Sequence, residues 1–311
     1  MRCYILLLHM NIGLIFSGQG AQKVGMGKSL LQNAEIAKKR YQQAEDMLGF
    51  DFQRICFEGP ETDLTPTAVC QPALYVQGYI IFELLSDMGK IETVTNSFGL
   101  SLGELTSLAT AGVVDFTTGL QLVAERGRLM QQACQQTQGA MASLIGGDRE
   151  SAKKLAKDFD IDISNYNCPG QIVISGSQEP VRQATAVAKE RGFRMAVPLK
   201  VAGAYHSRLM QSASDAFATV LKPIPFNPPR WSVYSNVSGK SIQEPEKIKT
   251  ALVDQIVSPV QFEDCLRQAY SDSNPTFYEC GSGNILAGLA QRTDKQIKVI
   301  TLNEFSDLEA L

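Results

Sequence analysis

Apolar residues along this chain recur with two spacings. Short runs, alternating or apolar throughout, predict strands at 12–16, 91–96, 141–145, 161–166, 171–175, 193–201, 232–236, 276–279 and 297–302. Apolar residues three and four apart predict helices at 26–33, 34–47, 71–87, 115–136, 148–159, 179–191, 207–221, 246–256, 260–270 and 284–292, with another running up to Gly112. Strands and helices alternate over most of the length, the order of an α/β fold. Between 138 and 201 the order is β-α-β-β-α-β, which is ferredoxin-like. A chain of 311 residues can bury one large core and a smaller one. The expected organisation is a large α/β subdomain of residues 1–137 and 202–311, with a small ferredoxin-like subdomain of residues 138–201 inserted into it.

One junction between these elements carries candidate chemistry. Gly99-Leu100-Ser101-Leu102-Gly103 fits G-x-S-x-G, where small residues two before and two after a serine let the backbone turn sharply from strand into helix. The strand-like 91–96 precedes it, and Leu105, Leu108, Ala109 and Gly112 follow at helical spacing. Such an elbow lifts Ser101 Oγ clear of the sheet and makes the large subdomain α/β-hydrolase-like. The alternative is that Ser101 only caps a helix.

Two more residues stand out against the pattern. On the 115–136 helix, Arg126 falls at the centre of the face formed by Gly119, Leu122, Val123, Leu129, Met130 and Ala133. An unpaired buried charge costs on the order of 3–5 kcal/mol, so Arg126 requires an anion, either a ligand or an internal Asp or Glu. The chain has only two histidines, and His9 sits in the short N-terminal stretch that precedes Met10. A serine nucleophile needs a proton acceptor, so any Ser/His chemistry falls to His206, which precedes a helix start that favours neutral imidazole.

Bulk properties remove several other readings. A net charge of -3 without a basic stripe argues against a nucleic-acid binder. Seven scattered cysteines without a C-x-x-C pair argue against a zinc site or disulfide framework and suit a reducing, cytoplasmic setting. The apolar 3–8 stretch is too short and too interrupted for a signal peptide, and Met10 is an alternative start. No stretch is expected to reach membrane-spanning length. Gly281-Ser282-Gly283 lacks the third glycine of a dinucleotide turn, because Leu286 occupies it.

Taken together, FSGQGAQ (16–22), QPAL (71–74), GLSLGE (99–104), RGRLMQ (126–131), GAMASL (139–144), NYNCPGQIVISG (165–176), VAGAYHSRLM (201–210), SPVQF (258–262) and ECGSGNIL (279–286) resemble the acyltransferases of fatty-acid and polyketide synthesis. Within them the chain most resembles the branch that moves malonyl from malonyl-CoA to an acyl carrier protein. The resemblance implies that Ser101 is acylated, that His206 is its general base and then acid, and that the backbone carbonyl of Gln255 orients the histidine. It makes Asp254 and Asp264 surface acids. It implies an oxyanion hole from the backbone N–H groups of Gln19 and Leu102, worth about 2.7–4 kcal/mol per donor. Gln71 would line the pocket, and Arg126 would grip the free malonyl carboxylate. Two charge-assisted hydrogen bonds of about 1.5–3 kcal/mol each would then favour malonyl over acetyl by about a hundredfold or more. Tyr205 stands where malonyl-selective relatives have Phe.

The resemblance further implies a coenzyme A thioester as substrate and no metal or redox cofactor; no membrane or nucleic-acid partner is expected, and the expected state is a monomer. Departures from the family pattern are Leu100 for His, Ser17 for Pro, Leu105 for an aromatic, and Cys280 with Ser282 in the late turn. Alternatives are a polyketide acyltransferase with another acyl group, an acyl hydrolase on the same fold, and a silent carrier-binding protein. Lys200, Arg194, Arg208 and Arg230 are candidate contacts for an acidic carrier.

Overall fold

Ile12–Phe16 (β1) is apolar on both faces and buried at every residue, as a central parallel strand must be. In the computed structural model, which describes residues 11–311, β1 pairs in parallel with Val94–Gly99 (β2) on one side. On the other it pairs in parallel with a strand at Thr276–Cys280. The readings that fall on residues 1–9 and on Met10 lie outside the described residues.

The remaining strands are Gly139–Ile145 (β3), Asp162–Cys168 (β4), Gln171–Ser177 (β5), Met195–Pro198 (β6), Ser232–Tyr234 (β7), Ser241–Ile242 (β8), Thr276–Cys280 (β9) and Val299–Leu302 (β10). They form a six-stranded sheet in the order β10-β9-β1-β2-β7-β8 and a four-stranded sheet in the order β4-β5-β3-β6. The first is parallel except for β8. The second is antiparallel throughout and has the ferredoxin-like strand order.

Alternation along the small sheet decides what each face meets. Ala142, Leu144, Ile172 and Ile174 pack on the sheet's own helices, Arg149–Asp158 and Gln178–Val187. Met141 and Val173 point the other way, into the core of the large subdomain. The small sheet is also stitched to the large subdomain by backbone. Tyr166 N–H donates to Val260 C=O at 2.9 Å, and Val260 N–H donates to Ser164 C=O at 2.8 Å.

The element ends differ from the sequence expectation where tertiary pairing decides them. The strand expected at 91–96 runs Val94–Gly99, because its register with β1 sets Gly99 opposite Phe16 and ends it at the elbow. The helix expected at 71–87 begins at Thr67, with Pro66 at its N-cap and Pro72 inside. Its first-turn Ala68 N–H, which has no acceptor within the helix, is capped from another helix by Gln131 Oε1 at 3.1 Å. The strand expected at 193–201 shrinks to Met195–Pro198, an edge strand ending on a residue without an N–H. Against the expectation, the helix Thr67–Asp87 is long and apolar enough to cross a membrane by length and composition. Its most apolar window is 78% buried within the protein, packed on the helix Phe116–Gln136 and on β9.

The elbow depends on two backbones touching. A Cβ on Gly103 would lie 2.1 Å from Phe16 O, and one on Gly99 would lie 2.2 Å from Gly103 C. Neither neighbour can yield, since both are backbone. Gly103→Ala is expected to lower unfolding stability by about 1–3 kcal/mol, the usual overpacking range, in urea titrations followed by circular dichroism.

Candidate active site

Ser101 sits between β2 and the helix Leu102–Thr110 with φ 54° and ψ −100°, a strained conformation for a side-chain-bearing residue. Asn236, just beyond β7, holds it there. Its Oδ1 accepts the Ser101 N–H at 2.7 Å, and its Nδ2 donates to Gly99 O at 2.8 Å. Leu102 opens the helix, so its N–H has no partner within that helix. The turn carrying Gln19 lies against the elbow: Leu100 N–H donates to Phe16 O at 3.1 Å, and a Cβ on Gly18 would meet Leu100 O at 2.4 Å.

His206, also at positive φ (56°) and 4% exposed, places Nε2 2.8 Å from Ser101 Oγ and Nδ1 2.7 Å from Gln255 O. The carbonyl can only accept, so Nδ1 carries the proton and Nε2 is left to accept from the serine hydroxyl. Burial, reinforced by the positive charge of Arg126 and opposed by the Gln255 carbonyl, lowers the histidine pKa to about 4. The imidazole is therefore neutral at physiological pH.

Arg126 is fully buried on the helix Phe116–Gln136. Its Nη1 donates to Gln71 Oε1 at 2.8 Å, and its Nη2 to Gln255 Oε1 at 2.7 Å and to Ser101 Oγ at 3.0 Å. Its Nε has no partner among the described residues. Among the described residues no carboxylate lies within ion-pair distance of it, so a structural salt bridge does not account for its burial. Burial lowers its pKa to about 10, with Glu104 opposing, and it stays charged.

A cavity of about 160 Å³ opens over Ser101. Gln71, Tyr205 and His206 line its large-subdomain side, and Met141, Asn167 and Val173 close it from the small sheet. A wider cleft of about 640 Å³ adjoins it, and the two share Gln19, Val201 and Tyr205. The Tyr205 hydroxyl is 2.6 Å from Thr67 Oγ1, which ties the ring to the start of the Thr67–Asp87 helix.

Other candidates lie elsewhere. Asp254 is exposed, and Asp264 is half-buried in an ion pair with Arg149 at 2.7 Å. Arg208 pairs with Asp160 and Asp162, and Arg230 donates to Thr110 O at 2.6 Å and stacks on Trp231. Arg194 and Lys200 are exposed without an ion-pair partner among the described residues, and Lys200 borders the wider cleft. Two of the departures from the family pattern meet: Ser17 Oγ donates to Ser282 O at 3.3 Å. The six described cysteines are buried and free, and no three His, Cys, Asp or Glu among the described residues cluster as metal ligands.

Sequence reasoning missed Asn236 and passed over Glu104, the last residue of GLSLGE. Glu104 Oε2 accepts from Asn236 N at 3.1 Å and from Gln255 Nε2 at 2.6 Å. A signal for Glu104 was available, since it is the one charged residue in a helix with no exposed position. Asn236 has no local signal, because its partners lie far away in sequence.

A hydroxyl aligned with a neutral imidazole, the helix-opening Leu102 N–H next to it in the chain and a fixed cation at the cavity wall suit nucleophilic acyl transfer. Comparison with known proteins gives the same chemistry. The profile described as "Acyl transferase domain" matches residues 14–304. The malonyl CoA-acyl carrier protein transacylase of Bacillus subtilis is 35% identical, over 96% of this chain and 95% of its own. A polyketide biosynthesis malonyl CoA-acyl carrier protein transacylase of the same organism is 38% identical, over 93% and 99%. A malonyl-transacylase solved in complex with its type II PKS acyl-carrier protein superposes with a TM-score of 0.92 at 33% identity, covering 96% of this chain and 98% of that one. On the matched length and on the serine elbow alike, this chain belongs to the acyl transferase domain family.

Proposed function

We propose that the protein transfers malonyl from malonyl-CoA to the phosphopantetheine thiol of an acyl carrier protein through an acyl-enzyme on Ser101. In the first half, Ser101 Oγ attacks the thioester carbonyl while His206 Nε2 takes its proton. The resulting oxyanion is met by the N–H groups of Gln19 and Leu102. Collapse breaks the C–S bond, and His206 returns the proton to the departing coenzyme A thiol. In the second half the carrier thiol gives its proton to His206 and attacks the Ser101 ester, and the proton returns to Ser101 Oγ as the ester C–O bond breaks. Gln255 orients His206 through its carbonyl, and Tyr205 and Gln71 shape the acyl cavity. No step calls for a metal or redox group, and the cytoplasm is the compartment proposed.

The observation that carries the malonyl reading is Arg126. A permanent cation, fully buried, is held by two neutral amide oxygens and, among the described residues, by no acid, 3.0 Å from the proposed nucleophile. That arrangement leaves its charge for an incoming carboxylate. The resemblance to both a general and a polyketide-pathway transacylase supports the same transfer in either setting. The division at residues 138–201 is likewise a proposal, supported by a four-stranded sheet drawn wholly from within it.

Three outcomes test this reading. Intact-mass spectrometry after mixing with malonyl-CoA is expected to show a malonyl adduct that is absent from Ser101→Ala; an adduct surviving in Ser101→Ala overturns it. Arg126→Ala is expected to lower kcat/KM for malonyl-CoA by about a hundredfold, the loss of two charge-assisted hydrogen bonds, and to leave acetyl transfer much less affected. Inactivation by a neutral fluorophosphonate is expected to hold its rate from pH 8 to about pH 5. It should fall only as His206 takes up a proton near its lowered pKa of about 4; a rate that halves near pH 6.5 contradicts a buried neutral base.

A further inference from the structure

Glu104 is buried, carries no part of the transfer described above, and sits behind it. One of its oxygens takes two hydrogen bonds that lead to the site by separate routes. Through the Asn236 backbone N–H it reaches the residue whose side chain clamps Ser101 N and Gly99 O. Through Gln255 Nε2 it reaches the residue whose carbonyl holds His206 and whose Oε1 holds Arg126.

The second route has a directional consequence. A carboxamide has an accepting end and a donating end, and nothing in its shape decides which faces which way. Arg126 can only donate and an ionised Glu104 can only accept, so the amide has one orientation that satisfies both. Ser101 O, which also accepts from Gln255 Nε2 at 3.0 Å, favours the same orientation. Removing the charge at Glu104 therefore loosens the hold on the amide and on the guanidinium without by itself turning the amide over. Glu104 is also the one acid whose field acts on Arg126 most strongly, at the opposite end of the same amide.

We infer that Glu104 is a positioning residue for donor selection: its carboxylate fixes the Gln255 amide, and through it holds Arg126 where an acyl carboxylate is received beside Ser101. This rests on the malonyl reading of Arg126. Among the described residues, the other charged or titratable groups facing Glu104 are Arg126 itself and the Cys265 thiol on the helix Phe262–Ser273, which burial keeps protonated. Burial also raises Glu104 to about 7, with its hydrogen bonds and Arg126 opposing.

The experiment is the ratio of kcat/KM for malonyl-CoA to that for acetyl-CoA. In Glu104→Gln, which keeps the size and an accepting oxygen, the ratio is expected to fall at least tenfold, the malonyl value falling while the acetyl value changes by less than threefold. A purely structural role would lower both values together along with the thermal midpoint, and that result overturns the inference. Replacing Gln255 by Met is expected to abolish the effect of Glu104→Gln on the ratio; additive losses also overturn it. The wild-type enzyme gives a readout that needs no variant: the ratio is expected to decline from pH 8 to pH 6 as Glu104 gains its proton, and a flat ratio counts against the inference. If the wild-type enzyme shows no malonyl preference at pH 8, the malonyl reading itself fails, and that result is separate from the fate of Glu104.

Discussion

The arrangement turns on keeping a full positive charge in a dry interior with no acid among the described residues in contact with it. Arg126 is held by the side-chain oxygens of Gln71 and Gln255, neutral acceptors that fix its place and leave its charge largely available. An acid at either position would have made burial easier and the cation useless to a ligand. Gln255 carries more than this one contact. Its backbone oxygen sets the tautomer of His206, and its amide nitrogen reaches Ser101 O and Glu104. One residue at a helix C-terminus therefore registers the imidazole, the serine and the guanidinium against one another.

The serine side of the site rests on steric contact. Gly99 and Gly103 let the elbow close to distances at which a side chain has no room, and Asn236 satisfies the backbone groups that the sharp turn leaves open. The small sheet completes the enclosure from above, through Met141 and Val173. Its backbone bonds to Val260 tie it to the segment that follows Gln255.

Much of this was legible in the chain. β1 reads as a buried strand because all five of its residues are apolar, and the ferredoxin-like insertion reads from the order of its elements. Arg126 was visible as a charge on an apolar face, and His206 by elimination. Strand ends were less legible: 91–93 has the composition of a strand, yet β1 sets where pairing begins. Asn236 was invisible for a physical reason, since a clamp 135 residues from the serine it holds leaves no periodic trace. The Tyr205 tether to Thr67 and the Ser17 contact with Ser282 are equally non-local. Each hydroxyl looks like a substitution in the sequence and a partner in the fold.

Ser101 and His206, the residues proposed to exchange the proton, are both non-glycine residues held at positive φ. Such backbones persist only where the surroundings over-determine them, so neither backbone is left free to relax away from the site. The oxygen–nitrogen alignment is consequently in place before any thioester enters. The reorganisation that a solvent-exposed serine would repeat at each turnover is done once, when the chain folds.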